Sequence, residues 1–398
     1  LEGTIKMDDY AKTRKFTFVV LADTEIGPAE QFELDEVEVL DNYYLSAQKE
    51  DIVFLKKFDN DRVLARYRET AGLDMKGAKS YGGWESGLLA GHSVGHYLTA
   101  VAQAIKVGDK ELKDKLDAII AGLAECQDKL GTGFIFGAQV QDKENVEKQF
   151  DLLEQGTTAG TWVPWYNMHK MVAGLVDTYK YTGNEQALDV AKKLGDWIYN
   201  RVSKWDAGLQ ARVLGTEYGG MNDCLYELYL YSRDKKHLEA AHKFDETSLF
   251  KTIANGKKNC LNGKHANTLI PKFVGALKRY TVLKQTGDAV ADDDAYLEYT
   301  KKFFDIAVQR HSYITGGVSV MEHFRKDNAQ DSTRTKTNCE SCCAHNMLKL
   351  ARELFKVTGD KKYADYYETT LRNSIMGAVK SETGAAAYFI PMATGYFK

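Results

Sequence analysis

Residues 182–199 read TGNEQALDVAKKLGDWIY, and this short stretch contains the signal that decides the fold. A glycine ends one helix in the left-handed conformation, and the asparagine after it caps the next helix. Each copy of the signature follows an apolar helical pattern and precedes another, so each predicts a hairpin of two helices. The other copies are residues 107–109 (VGD), 232–234 (SRD), 286–288 (TGD) and 358–360 (TGD).

The spacing of these turns indicates the architecture. They stand roughly 50 to 75 residues apart, too far for a tetratricopeptide or ankyrin solenoid. We therefore predict a mainly α protein, an (α/α)6 toroid, in preference to an irregular helical bundle. The tight turns then lie at one end, and the long connections gather at the other, where function tends to be located. These connections are residues 82–98, 161–170, 216–223, 264–272, 314–324 and 338–343.

The first thirty residues differ from the rest of the chain. Residues 12–21 (KTRKFTFVVL) alternate as a β-strand does, and Gly27-Pro28 then breaks the chain. We interpret residues 1–30 as a short β-rich segment, either a linker or the tail of an immunoglobulin-like module. Residues 31–398 form the predicted helical domain. Because the chain starts Leu1-Glu2-Gly3, without an initiator methionine, we expect it to be a piece of a longer protein.

Composition excludes several classes of protein. Of the 398 residues 44% are hydrophobic and 27% are charged, which allows a large core. The net charge of −3 offers no general attraction to nucleic acid, and no apolar run approaches the ~20 residues that span a bilayer. We expect neither a nucleic-acid partner nor a membrane span.

The long connections are rich in residues that bind sugars. Trp84, Trp162 and Trp165 are candidate platforms for the apolar faces of sugar rings, or else core residues. His92 and His96 are four residues apart, on one helical face, and favour hydrogen bonding near a cleft over metal ligation because the HExxH glutamate is absent.

Two segments contain residues that are candidates for catalysis or metal binding. Glu322 stands in a glycine-rich loop, where a buried carboxyl group is suited to general acid catalysis and an exposed one is an ordinary surface residue. Residues 339–343 (CESCC) combine three cysteines with a carboxylate, a set that favours zinc ligation over a group of buried thiols. The segment is too short to supply four ligands, so a complete metal site needs residues from elsewhere.

Taken together, the motifs resemble the β-L-arabinofuranosidase superfamily, glycoside hydrolase families 127 and 146, and family 146 more closely. The resemblance covers about nine tenths of the chain. It implies a retaining exo-hydrolase that releases L-arabinofuranose from plant oligosaccharides or polysaccharides, with a cysteine nucleophile held on Zn2+. The matching motifs, in chain order, are GGWES, GHxxGHYL, PWYxxHK, EYGGMN, HANTxIPK, YITGG, EHF, ExCxxxNMLKL and ADYYE.

The resemblance also assigns roles to residues. Glu322 matches the general acid/base, and Glu340 and Cys342 match the first two zinc ligands. The family's other two ligands are an adjacent Cys-Cys pair, one of which is the nucleophile, and we expect them beyond Lys398. The zinc site is therefore predicted to be incomplete in this chain, with Cys339 and Cys343 as neighbours of the ligands. The predicted substrate-binding residues are His92, His96, Trp165, His169, His265, Glu368 and Tyr388.

Three other functions remain open at this stage. The first is a hydrolase of the same fold that acts on another pectic pentose. The second is a carbohydrate-binding toroid without catalysis, and the third is a cysteine-based metal or redox protein. The immunoglobulin-like segment favours a secreted or cell-surface bacterial protein. The sequence gives no indication of oligomeric state.

Overall fold

The computed structural model describes residues 26–380 and 383–396, together with the backbone of two short strands. Strands β1 (Glu2–Thr4) and β2 (Lys15–Thr17) pair antiparallel, with Glu2 opposite Thr17. Most of the segment interpreted as an immunoglobulin-like module lies outside the described residues. The division at residue 30 therefore stays a prediction.

Fifteen α-helices span the described residues. Twelve of them form six hairpins, α1/α2, α3/α4, α6/α7, α9/α10, α12/α13 and α14/α15, whose first members pack on one another in chain order as an inner ring. This is the predicted (α/α)6 toroid, with α5, α8 and α11 in the connections. The helices are α1 (Asn42–Lys56), α2 (Asn60–Ala71), α3 (His92–Lys106), α4 (Glu111–Leu130), α5 (Lys148–Glu154), α6 (Pro164–Thr182), α7 (Glu185–Val202), α8 (Ala207–Leu214), α9 (Met221–Ser232), α10 (Lys235–Lys243), α11 (Thr247–Ala254), α12 (Ala266–Thr286), α13 (Asp294–His311), α14 (Ser341–Thr358) and α15 (Lys361–Thr370).

The hairpin turns follow the predicted chemistry in most copies. Gly183 ends α6 with a φ of 69°, and the Asn184 side chain accepts a hydrogen bond from the backbone N–H of Ala187. Gly359 and Asp360 do the same between α14 and α15. The copy after α12 differs: α13 begins only at Asp294, and Asp288 instead accepts hydrogen bonds from the α9/α10 region.

The inner helices carry charges where they face the axis of the toroid. Glu227 of α9 is only 8% exposed and lies between two ammonium groups, Lys180 at 3.0 Å and Lys278 at 2.5 Å. These two cations hold the pKa of Glu227 well below its usual value, against the opposing effect of burial. The axis is thus held by ion pairs, whereas the apolar core lies between the inner and outer helices.

Helices α3 and α6 approach each other most closely at two glycines. A Cβ added to Gly95 would meet the Lys170 carbonyl oxygen at 1.9 Å, and one added to Gly174 would meet the Gly95 carbonyl oxygen at 2.4 Å. Real Cβ atoms do not approach backbone oxygens so closely. The two backbones can be in contact only because neither residue has a side chain.

We predict that Gly95→Ala lowers the free energy of unfolding by about 3 kcal/mol or more, because both helices must move apart and core packing is lost. Gly208→Ala is a matched control. Gly208 is helical too, and the nearest atom to an added Cβ lies 3.4 Å away, so that change is expected to be neutral or slightly stabilising. Denaturant unfolding followed by circular dichroism measures both. Equal stability of the two variants would contradict the close contact.

Candidate active site

The N-terminal ends of the inner helices, with the long connections before them, meet at the end of the toroid opposite the tight turns. Two glutamates and a tyrosine converge there. The Tyr388 hydroxyl donates to Glu322 Oε1 at 2.6 Å and lies 3.1 Å from Glu340 Oε1. The other oxygen of Glu322 is 3.1 Å from His265 Nε2. Four predicted residues that are distant in sequence therefore form one cluster.

Glu322 is held in an unusual backbone conformation. Its φ is 67° and that of Met321 is 46°, a region that residues with a side chain seldom adopt. The Glu322 carbonyl accepts a 2.7 Å hydrogen bond from the backbone N–H of Ala266, at the start of α12. Such strain persists only where surrounding contacts fix it, and it commonly marks functional sites. The side chain remains 32% exposed, accessible from the cleft.

The three clustered cysteines have different surroundings. Glu340, fully buried, is the N-terminal cap residue of α14, and Cys343 Sγ donates to its Oε2 at 3.1 Å. Cys342 is partly exposed, and burial together with the negative charge of Glu340 raises its pKa to about 12. Cys339 is separate: it is buried against the backbone of Gly317. This hydrogen bond joins Glu340 to Cys343, and the roles of Glu340 and Cys342 as zinc ligands, with Cys339 and Cys343 as neighbours, stay predictions.

The predicted histidines line the opposite wall of the cleft. His92 Nδ1 is 2.7 Å from the Leu89 carbonyl oxygen, and its ring lies 6.3 Å from that of His96. His96 is solvent-exposed although helices surround it, so it faces the open centre of the toroid. His169 is 4% exposed and accepts a 3.0 Å hydrogen bond from the backbone N–H of Gly220. Burial lowers the pKa of His92 and His169, and the enclosing helices, together with the positive charge of Lys170, lower that of His96, which favours neutral rings.

Two predicted substrate-binding residues lie away from this cluster. Trp165 is 1% exposed and packs in an aromatic core with Phe150 and Phe244, where no sugar can reach it. The prediction failed because a tryptophan in the first turn of α6 faces the outer helices rather than the cleft. Glu368 lies on the outer helix α15, with its side chain 64% exposed and paired with Arg372 at 3.0 Å. The structure does not bring Glu368 into the cluster, and its role stays a prediction.

Two residues of the PWYxxHK motif belong to the site but were not predicted. Tyr166 lies close to Asn267 and Cys342, and burial raises the pKa of its hydroxyl group. The Lys170 ammonium lies 4.5 Å from the centre of the Tyr166 ring, and burial lowers its pKa to about 8. Tyr166 and Lys170 are four residues apart on α6, so both side chains lie on the helical face of His169. This spacing could have identified them as site residues.

A second group of metal-ligand residues lies elsewhere. Among the described residues, Asp196, Asp234 and His237 place ligand atoms within 4.8 Å of one another, between the outer helices α7 and α10. They are compatible with a metal ion, but each also has a structural role. Asp234 caps α10, Asp196 pairs with Lys236 at 3.4 Å, and His237 bonds to the Ser232 hydroxyl.

No described helix has the length and apolar character needed to cross a lipid bilayer. A search of curated proteins found no match. Among solved structures, the fold is similar to that of a family 127 β-arabinofuranosidase, with a TM-score of 0.65 and 20% identity over 90% of this chain and 56% of the other. A family 127 β-L-arabinofuranosidase from Geobacillus stearothermophilus T6 gives a TM-score of 0.64 and 17% identity over 89% and 58%. This chain thus spans less than two thirds of either protein.

The family comparison is more specific than these similarities of fold. The model of the β-L-arabinofuranosidase catalytic domain of glycoside hydrolase family 127 matches residues 36–398, nearly the whole chain. The match does not test the closer resemblance to family 146. It includes the connections that bring together Glu322, Glu340 and Tyr388 and all six helical hairpins. The chain belongs to the family 127 β-L-arabinofuranosidase catalytic-domain family.

Proposed function

We propose that the protein containing this chain is a retaining exo-glycoside hydrolase that releases β-linked L-arabinofuranose from plant glycans. Glu322 is its general acid/base, and a cysteine thiolate on zinc is its nucleophile. The observation that carries the proposal is the single hydroxyl group of Tyr388, which contacts both Glu322 and Glu340. The proposed acid/base and a proposed metal ligand thus lie at one cleft, as the short spacing of retaining enzymes requires.

The residues of this chain suit the chemistry. The Glu322 carboxyl group, next to His265, gives a proton to the glycosidic oxygen as the bond breaks and later removes one from the attacking water. The neutral rings of His92, His96 and His169 offer hydrogen bonds to sugar hydroxyls. Glu340 is fully buried, so bulk water does not reach its carboxyl group.

The donor set fits half of a zinc site. Glu340 and Cys342 supply a carboxylate oxygen and a sulfur, both of which are normal zinc ligands. Burial and neighbouring acidic groups raise the pKa of each, so their ionised forms need a nearby cation. When bound, zinc supplies that charge and keeps thiolates deprotonated. The family resemblance assigns the remaining two ligands to cysteines beyond Lys398.

The test uses the full-length protein with 4-nitrophenyl β-L-arabinofuranoside, and the α-anomer as the control substrate. We expect turnover of the β-anomer only, its loss on treatment with a zinc chelator, and its recovery on addition of zinc. Proton NMR of the first product should show β-L-arabinofuranose, that is, retention. An inverted product would contradict the cysteine nucleophile. Arabinose binding by calorimetry without any turnover would instead indicate a non-catalytic carbohydrate-binding protein.

A further inference from the structure

Two tryptophan side chains stand exposed beside the cleft. Trp84 is 58% exposed and Trp162 is 46% exposed, although they lie in connections from different hairpins. Their ring centres are 6.3 Å apart and their planes meet at 45°. Exposed indole rings are unfavourable in water, and adjacent ones commonly mark a binding surface. The proposed acid/base and metal ligands do not use either ring.

The loop that carries Trp84 is rigidly fixed by its neighbour. Glu85 caps the N-terminus of α3: its two oxygens accept hydrogen bonds from the backbone N–H groups of Gly91 at 2.6 Å and Ser93 at 3.3 Å. The Asn167 amide of α6 donates to the carbonyl oxygen of Ala90 in the same connection. These contacts fix the backbone next to Trp84, and its ring remains exposed.

Trp162 is fixed in a similar way. It lies between Thr161 and Val163, which are each 4% exposed, and the Thr161 hydroxyl donates to the Gln149 carbonyl at 2.8 Å. Pro164 then begins α6 and restricts the backbone further. Both rings are thus presented by rigid backbone, which is how preorganised binding sites present aromatic groups.

A short chain of contacts connects the tryptophans to the proposed catalytic centre. Glu85 Oε1 is 3.4 Å from His92 Nδ1, and the His92 ring lies 6.1 Å from the Tyr166 ring. Tyr166 in turn lies close to Asn267 and to Cys342. The tryptophans consequently lie on the side of the cleft that α3 and α6 form, next to the residues that lead from His92 to Tyr166.

We propose that Trp84 and Trp162 form a subsite for the leaving group: they bind the sugar ring to which the released arabinofuranose is attached. This inference rests on the proposed function and adds the place at which the rest of the glycan, beyond the released arabinofuranose, binds. The C–H face of a sugar ring packs against an indole face, and two planes inclined at 45° offer a shallow cradle for it. Two rings continuous with a polar cleft suit a sugar better than a protein partner, which needs a larger apolar area.

The experiment compares two substrates in the full-length protein and in Trp84→Ala, Trp162→Ala and the double variant. One substrate is methyl β-L-arabinofuranoside, whose methyl group is too small to reach the tryptophans. The other is an oligosaccharide ending in β-linked L-arabinofuranose. We expect kcat/KM for the oligosaccharide to fall about 10-fold in each single variant, while kcat/KM for the methyl glycoside stays within about 2-fold. Phe32→Ala, which removes an aromatic side chain that is 73% exposed at the far end of the toroid, should change neither value.

The possible results separate the subsite from the proposed function. An equal fall for both substrates, or no fall for either, would overturn the subsite, including the case in which another part of the protein covers the two rings. If the wild-type protein hydrolyses neither substrate, the proposed function fails. Calorimetry with the arabinose-free oligosaccharide then decides the subsite alone: binding that both variants weaken supports it, and binding that neither variant weakens rejects it. Thermal melts followed by circular dichroism check that the variants fold.

Discussion

Glu322→Gln in the full-length protein is expected to lower kcat/KM for methyl β-L-arabinofuranoside by about 10²–10⁴-fold, the usual contribution of a positioned general acid/base. The amide keeps the shape of the side chain and its contact with the Tyr388 hydroxyl, but it cannot transfer the proton. The loss should be smaller for a nitrophenyl glycoside, because nitrophenolate is a good leaving group and needs little protonation. This dependence on the leaving group separates a lost acid from a damaged site.

Glu298→Gln is the matched control for that experiment. Glu298 lies on the outer helix α13, its side chain is 58% exposed, and it pairs only with Lys301 three residues on. The turnover of Glu298→Gln should equal that of the wild type. Full activity of Glu322→Gln on both glycosides would reject Glu322 as the acid/base. An equal loss on both would indicate a structural role instead.

A large loss of stability is also expected from Glu227→Gln at the axis of the toroid. Removal of this carboxylate takes from the ammonium groups of Lys278 and Lys180 the anion that they share, although the Lys180 side chain is itself 34% exposed. Breaking a fully buried ion pair by removing one member typically costs about 3–5 kcal/mol, and because solvent reaches Lys180 we expect a decrease of about 2–3 kcal/mol in the free energy of unfolding. Glu111→Gln is the control. That side chain is 80% exposed in its pair with Lys56, and such pairs contribute less than about 1 kcal/mol.

The effect of Glu227→Gln should also depend on pH in a defined direction. Its two cations keep the pKa of Glu227 in the folded protein well below the value of about 4.3 expected in the unfolded chain. The stabilisation is therefore complete above that unfolded value and is lost as the pH falls below it. The difference in stability between wild type and variant should be constant from pH 5 to 7 and should shrink toward pH 3. A difference that grows in acid would contradict the ion pairs.

The hairpins were predictable because their signal is local. A residue such as Gly183 ends a helix through its own backbone freedom, and a neighbour such as Asn184 caps the next helix from one position away. The hairpin of α1 and α2 lacks a glycine at its turn and was missed, since Lys57 keeps a right-handed conformation before Asp59 caps α2. Asp288 was assigned wrongly as a cap because it bonds across space to Tyr229 and Lys235, contacts that the sequence does not contain.

Less of the candidate site could be predicted from the sequence. Tyr388 and Glu322 meet across 66 positions because the ring of helices brings their loops together, and only the family resemblance pointed to the pair. Trp162 and Trp165 are only three positions apart, and the sequence did not distinguish their environments either. One precedes α6 and is exposed, whereas the other lies within its first turn and is buried. Residue type alone does not distinguish these two environments.

The contact between α3 and α6 at Gly95 and Gly174 has a kinetic consequence. It lies in the first turn of α3 and in the second and third turns of α6, the two helices that follow the connections carrying Trp84 and Trp162. Because the two helices are in backbone contact, we expect the connections that precede them to keep their relative positions when a glycan chain binds. Association should follow a single exponential with a rate proportional to ligand concentration, as expected for binding without a rearrangement of the protein.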